Sequence, residues 1–248
     1  MGAPTVDIVG FGRLGQHVYS LFQSKGIRVR CVYSSTLGGE SSRDRHAWLT
    51  DTDLSPLVFL CIPDDQLEPQ LQLRAPSNSL FLQCSGAKSL VSLPGKRIGV
   101  WYPLQSFSLN RSPANENWPV FLEADSESLA ELQALNAQLG LKGIPMNSQQ
   151  RQFLHLAAVW GNNFGQLVMG VAKDICESQG LDPQFLKPLL QETAEKALDL
   201  PGEVAQTGPA RRNDQQTQAL HLDLMQDHPD WQSLYKALSE SIQSRYRK

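Results

Sequence analysis

The sequence predicts an α/β domain with a mostly parallel sheet, followed by an all-α domain. Three observations lead there. Val6, Ile8 and Val9 form a short apolar run, and Gly10, Gly12 and Gly15 follow it in G-x-G-x-x-G spacing. Short β-rich runs then alternate with helical stretches to about residue 147, the pattern of strands joined by helical crossovers. Beyond that point apolar residues recur at three- and four-residue spacing and strand signals fade. The expected division is therefore a dinucleotide-binding domain over residues 1–147 and a helical substrate or dimerisation domain over 148–248.

The first strand and helix carry the most specific signal. Gly10 suits a tight turn, Gly12 leaves room for a pyrophosphate, and Gly15 lets the helix from about Leu14 to Ser24 lie close to the strand. The turn Gly10, Phe11, Gly12, Arg13, Leu14 and Gly15 is thus the expected phosphate site, at a helix N-terminus whose N–H groups attract anions. A second strand is expected over Ile27 to Tyr33. Its tip selects the cofactor, because an acid there would hold the ribose hydroxyl of NAD. Ser34, Ser35 and Thr36 stand there instead, with no acid before Glu40. Arg13, Arg43 or Arg45 could neutralise a 2′-phosphate, so NADP is favoured over NAD, which stays possible.

Leu57 to Ile62 reads as a strand buried on both faces. Pro63, Asp64 and Asp65 follow at its carboxyl end, where ligands bind in this architecture; Ile62, Pro63 and Asp64 are expected to touch the cofactor, and Asp65 suits the N-cap of a helix to Leu73. Strands are also expected over Ser79 to Cys84, Arg97 to Trp101, Trp118 to Glu123 and Leu141 to Ile144, with a helix over Ser126 to Leu139. Ser85 and Gly86, after the Ser79 strand, form either a substrate-placing loop beside the nicotinamide or an ordinary turn. One long helix is expected over Gln149 to Ala172, with further helices over Pro183 to Ala197, Thr217 to Met225 and Trp231 to Arg245.

Composition limits the function classes. Of 248 residues 41% are hydrophobic and 19% charged, with a net charge of −3, which offers no footprint for nucleic acid or an anionic membrane. No apolar run approaches the roughly 20 residues of a membrane span, and nothing at the N-terminus reads as a signal peptide. The four cysteines have neither metal-ligand nor disulfide-scaffold spacing. A cytoplasmic protein with reduced thiols and no metal site is expected.

The candidates for chemistry lie on the long helix. His155 and Asn162 are seven residues apart and share a face in α-helical geometry, with Asn163 turned away by about 100°. A histidine can move a proton near neutral pH, and an amide can hold a carbonyl or carboxylate. Each residue alone is as readily structural. With Ser85, these form the expected catalytic set, and Gly86 and Arg212 are expected to touch substrate. Asp214 reads as structural, and His221 is open.

The assembly as a whole resembles the family that pairs an N-terminal Rossmann-like domain with the helical domain of unknown function 2520. The resemblance is carried by Gly10 to Gly15, Ile62-Pro63-Asp64-Asp65, Cys84-Ser85-Gly86-Ala87, Tyr102 to Phe107, His155 to Val159, Asn162-Asn163-Phe164, Thr207 to Asp214 and His221. It lies within the wider 6-phosphogluconate dehydrogenase and pyrroline-carboxylate reductase group. The resemblance implies an NADP-linked oxidoreductase acting on a small carbonyl, imine or hydroxy acid in an interdomain cleft, and a homodimer through the helical domain. Some positions depart from the pattern. Ala158 and Val159 stand where β-hydroxyacid dehydrogenases carry a catalytic lysine, Tyr102 where the family usually has histidine, Asn213 where it has glycine, and Ser35 where arginine is frequent. The missing lysine supports a second expectation, a catalytically silent dinucleotide sensor or partner-binding protein.

Overall fold

The computed structural model describes residues 4–35, 42–109, 111, 113 and 117–246. The chain divides into two compact units, Met1–Phe164 and Gly165–Lys248. The first begins with β1 (Thr5–Val9), α1 (Arg13–Ser24) and β2 (Arg28–Tyr33). A two-residue strand β3 (Ser42–Arg43) and a 3-10 turn (Ala47–Leu49) come next, neither of them evident in the sequence. β4 (Leu57–Leu60), α2 (Asp64–Leu73), β5 (Leu80–Gln83), β6 (Arg97–Pro103), β7 (Val120–Glu123), α3 (Ser126–Leu139) and β8 (Gly143–Pro145) complete the sheet layer.

The eight strands form one sheet in the order β3-β2-β1-β4-β5-β6-β7-β8. Every pairing is parallel except β6 with β7. Strand order reverses between β1 and β4, so the crevice for a ligand lies above the carboxyl ends of those two strands. β4 is buried along its whole length. Leu57 and Phe59 join the apolar layer of Phe22, Trp101 and Leu132, whereas Val58 and Leu60 join that of Trp48, Leu67 and Phe81. Two-sided burial is why this strand reads as a continuous apolar run rather than an alternating one.

One buried charge interrupts β1. Asp7 is fully buried, accepts from Arg30 Nε at 3.0 Å and Nη2 at 2.5 Å, and also accepts from the Ser55 backbone N–H at 2.8 Å. Tyr33 extends the network by donating to Asp51 at 2.5 Å, which Arg43 also engages at 2.5 Å. Burial and the hydrogen bond to Asp51 hold the Tyr33 phenol far above its ordinary range. Arg43 is thus committed to the fold beneath the tip of β2.

The helix expected over Gln149 to Ala172 has three parts: α4 (Ser148–Ala158), a π-helical segment (Val159–Phe164) and α5 (Gly165–Ser178). The sequence does not distinguish π from α, because a six-residue segment is too short for its changed period to show in the apolar pattern. Gly161, Asn162 and Asn163 are weak helix formers, so the α pattern has little to hold it there. A box opens α4: the Asn147 side chain accepts from the Gln150 N–H, and the Gln150 side chain accepts from the Asn147 N–H.

The second unit continues through a 3-10 turn (Pro183–Leu186), α6 (Lys187–Asp199), α7 (Gly202–Ala205), α8 (Gln215–Leu224) and α9 (Pro229–Arg245). The helix expected from Pro183 begins as that 3-10 turn, capped by Asp182, which accepts from the Gln184 N–H. Asp214 caps α8 by accepting from Thr217, consistent with its structural reading. Those hydrogen bonds hold its carboxyl below the usual range. Asn213, just before it, has φ +54°. This left-handed conformation suits glycine, and asparagine is among the side chains that tolerate it.

Candidate active site

Each glycine of the first turn meets a different surrounding. A Cβ on Gly10 would stand 2.3 Å from the Cys61 carbonyl oxygen, and its φ is +93°. A Cβ on Gly15 would stand 2.2 Å from the Gly10 oxygen, which is the close passage of helix over strand. A Cβ on Gly12 would meet nothing within 4 Å. No side chain caps α1, so the N–H groups of its first turn are open to an external acceptor. Beside them is a cavity of about 290 Å³ at the strand-order reversal, lined by Gly10, Phe11, Gly12, Ser34, Ser35, Arg45, Ile62 and Pro63. A diphosphate fits this cradle: open backbone at Gly12, unshared N–H donors, and hydroxyls with an arginine at the far end.

Other expected cofactor residues are placed differently. Arg13, Leu14 and Gly15 begin α1 without lining the cavity, and Arg45, not Arg43, is the cation on its wall. Asp64 sits in the first turn of α2, after Pro63 at the N-cap. Asp65 is therefore inside the helix rather than capping it, and both carboxylates complement its dipole. Thr36 and Glu40 lie outside the described residues. Cys61 and Cys84, remote in sequence, come side by side after β4 and β5. Their shared hydrogen bond and burial hold the Cys84 thiol well above its ordinary range. All four cysteines are free.

A second cavity of about 250 Å³ is lined by Tyr102, His155, Asn162 and Asn163, and closed by Gln105, Ala158 and Val159. Tyr102 is the second-last residue of β6, two strands from β4, so strand spacing alone puts it about 10 Å along the same carboxyl edge. His155 is held over this edge by the first turns of α4. Arg151, four residues earlier on the same face, is fully buried, pairs with Glu123 and donates to the Lys88 carbonyl at 2.6 Å. Gln152 donates to the Ala87 carbonyl at 3.0 Å. The π segment keeps both asparagines on the cavity wall, with the Asn162 amide donating to Asn163 at 3.2 Å.

Tyr102 is the contributor that sequence reasoning left out. Its hydroxyl stands 3.1 Å from His155 Nδ1, with the two rings edge to face. Gly86 lies directly beneath: a Cβ there would come within 2.5 Å of the Tyr102 ring and 2.7 Å of His155 Nδ1. Burial pushes the Tyr102 phenol up, opposed by the charge of Arg151. The signal that could have found it is its place at a strand's carboxyl end, where the resembled family usually carries histidine.

Ser85 has a different use. It is buried, donates to Asp64 at 2.8 Å and accepts from the Lys88 N–H at 3.0 Å, and it lines neither cavity. In the second unit, Arg212 is exposed on the turn before α8. Its neighbour Arg211 donates to the Tyr246 carbonyl at 2.8 Å. His221 Nδ1 is 2.9 Å from the Tyr235 hydroxyl. No group of metal-ligating side chains occurs among the described residues.

Solved structures share this architecture. A Bacteroides fragilis protein provisionally named an NADP oxidoreductase is 29% identical, with a TM-score of 0.86 over 98% of both chains. A reductive aminase from Aspergillus terreus, in complex with NADPH and ethyl levulinate, is 16% identical with a TM-score of 0.71 over 99% of this chain and 95% of that one. An imine reductase from Myxococcus stipitatus in complex with NADP+ is 14% identical, with a TM-score of 0.60 over 99% and 100%. No curated protein matches the chain. The family described as domain of unknown function 2520 matches residues 118–242, half of the sequence, and the chain belongs to that family.

Proposed function

We propose that the protein is an NADP-dependent oxidoreductase acting on a small carbonyl, imine or hydroxy acid. The observation that carries this reading is the open cradle over Gly12, ending at Ser34, Ser35 and Arg45 with no acid among its lining residues. NADP fits that end better than NAD, because hydroxyls and a cation suit a 2′-phosphate. The neighbours that hold NADPH and NADP+ share the fold and support the same choice. When bound, the nicotinamide supplies hydride chemistry. The protein supplies placement, with substrate in the Tyr102–His155 cavity and the Asn162 and Asn163 amides holding its polar group.

A homodimer through the helical unit belongs to this reading, as does a cytoplasmic location, supported by four free thiols. No described helix is long and apolar enough to cross a membrane. A silent nucleotide sensor is favoured by one feature: Ala158 and Val159 line the second cavity, so no amine stands there. Calorimetric titration with NADPH and NADH, followed by turnover across imines, ketones and hydroxy acids, tests the assignment. Tight NADPH binding with turnover is expected. Binding without turnover across the panel selects the sensor, and failure to bind either nucleotide removes both readings.

A further inference from the structure

Gly86, Tyr102 and His155 come from three parts of the chain yet meet around the point where a Gly86 Cβ would stand. A Cβ on Gly86 would overlap both rings, so the absence of that one carbon lets phenol and imidazole meet over the loop. Neither ring is loosely held. Tyr102 stacks at a tilt on Phe121 of β7 at 6.4 Å. His155 rides on α4, whose Arg151 and Gln152 are bonded to the carbonyls of Lys88 and Ala87 in the same loop that carries Gly86. The remaining cavity wall offers amides, a serine hydroxyl and aliphatic groups. Tyr102 and His155 are therefore the lining groups able to release a proton to a developing alkoxide or amine.

We propose that Tyr102 is the proton donor of this cavity, with His155 as the positioning residue that holds its oxygen and restores its proton. The proposal rests on the oxidoreductase reading above, taken in its reductive direction, and it goes further by moving the acid from the helix histidine to the strand tyrosine. As a substrate C=O or C=N gains hydride at carbon, its π pair moves to the heteroatom. That atom takes the proton from Tyr102 Oη. The phenolate left behind is 3.1 Å from Nδ1, where the imidazolium N–H donates to it and then returns a proton. His155 is left neutral, with its proton on Nε2, and regains the other from water. Burial keeps Tyr102 protonated between turnovers. The charge acting on Tyr102 is that of Arg151 on α4, itself paired with Glu123 on β7. A phenol at this place performs the proton transfer for which Ala158 and Val159 provide no group.

The test combines kinetics with a titration that needs no cofactor. In the free protein, the His155 imidazole is followed by nuclear magnetic resonance against pH, with its signal assigned by its loss in His155→Gln. Tyr102→Phe is expected to change the His155 Nδ1 resonance, because the hydroxyl 3.1 Å from that nitrogen is removed. Where NADPH turnover is found, Tyr102→Phe is expected to lower kcat about 100-fold or more, with NADPH affinity unchanged. His155→Gln is expected to abolish the fall in kcat toward high pH while retaining more activity than Tyr102→Phe. An unchanged Nδ1 resonance, or a Tyr102→Phe kcat within about threefold of the parent, overturns the proposal while the NADP reading stands. Absence of turnover in the parent protein overturns both roles, even if the titration shows the two rings coupled.

Discussion

Gly10 and Gly12 lie two residues apart and have opposite tolerances. Alanine at Gly10 would combine a positive φ with a collision against the backbone of Cys61, which no side-chain rotation relieves. Gly10→Ala is therefore expected to cost about 2 kcal/mol or more, read as a lowered urea midpoint. Gly12 has ordinary extended geometry and open space around it, so Gly12→Ala should change stability by less than about 1 kcal/mol. Its effect should fall on NADPH affinity, with a loss of about tenfold or more from about 1.4 kcal/mol of lost approach. A Gly12→Ala protein that binds NADPH as tightly as the parent would remove the phosphate from that place. These glycine roles are legible in the sequence because a local motif encodes them. The Tyr102–His155 pair is not, since 53 residues separate its members and neither stands in a spacing that points to the other. Asp7 is hidden for a related reason: within Val6-Asp7-Ile8-Val9 nothing shows that Arg30 will meet it across the sheet.

Among the elements, α4 does the most to build the site, and its influence comes through Arg151. The guanidinium joins β7 through Glu123 and the loop after β5 through Lys88, placing the strand end, the glycine loop and the histidine one turn later in fixed relation. Removing it would strand a largely buried carboxylate, although Ser148 also donates to Glu123 and offsets part of the loss. Arg151→Met, which keeps the aliphatic bulk, is expected to cost about 3 kcal/mol in chemical denaturation. It should also weaken the Tyr102–His155 coupling seen in the titration. An unchanged midpoint would show that α4 is anchored by its apolar contacts instead. The start of α4 is legible in Asn147 and Gln150, which satisfy the box spacing. The π segment is not, because its composition lowers helix preference without specifying which irregularity follows.

At the scale of the whole molecule, the two units differ in how much apolar surface they conceal. The first buries continuous layers on both faces of its sheet. In the second, only Ala210, Met225 and Ser239 are buried among the described residues. Phe185 is 74% exposed, Leu189 63%, Leu198 88% and Leu224 73%. The helices were readable from apolar spacing, but spacing shows that a face is apolar and not what covers it. So little buried side chain can hardly offset the entropy of ordering about eighty residues, and we expect exposed apolar area on this scale to be covered by a partner. A second copy of the chain is the simplest cover, because it brings an equally bare surface and can form a two-fold interface of about 2,000 Å² or more. Sedimentation equilibrium is therefore expected to give twice the chain mass, with a Tm that rises with protein concentration. Phe185→Lys combined with Leu189→Lys should lower the mass toward one chain and reduce helical circular dichroism, while leaving NADPH binding by the first unit measurable. A parent protein that stays monomeric at micromolar concentration with full helicity would mean that the exposed helices fold without a partner copy.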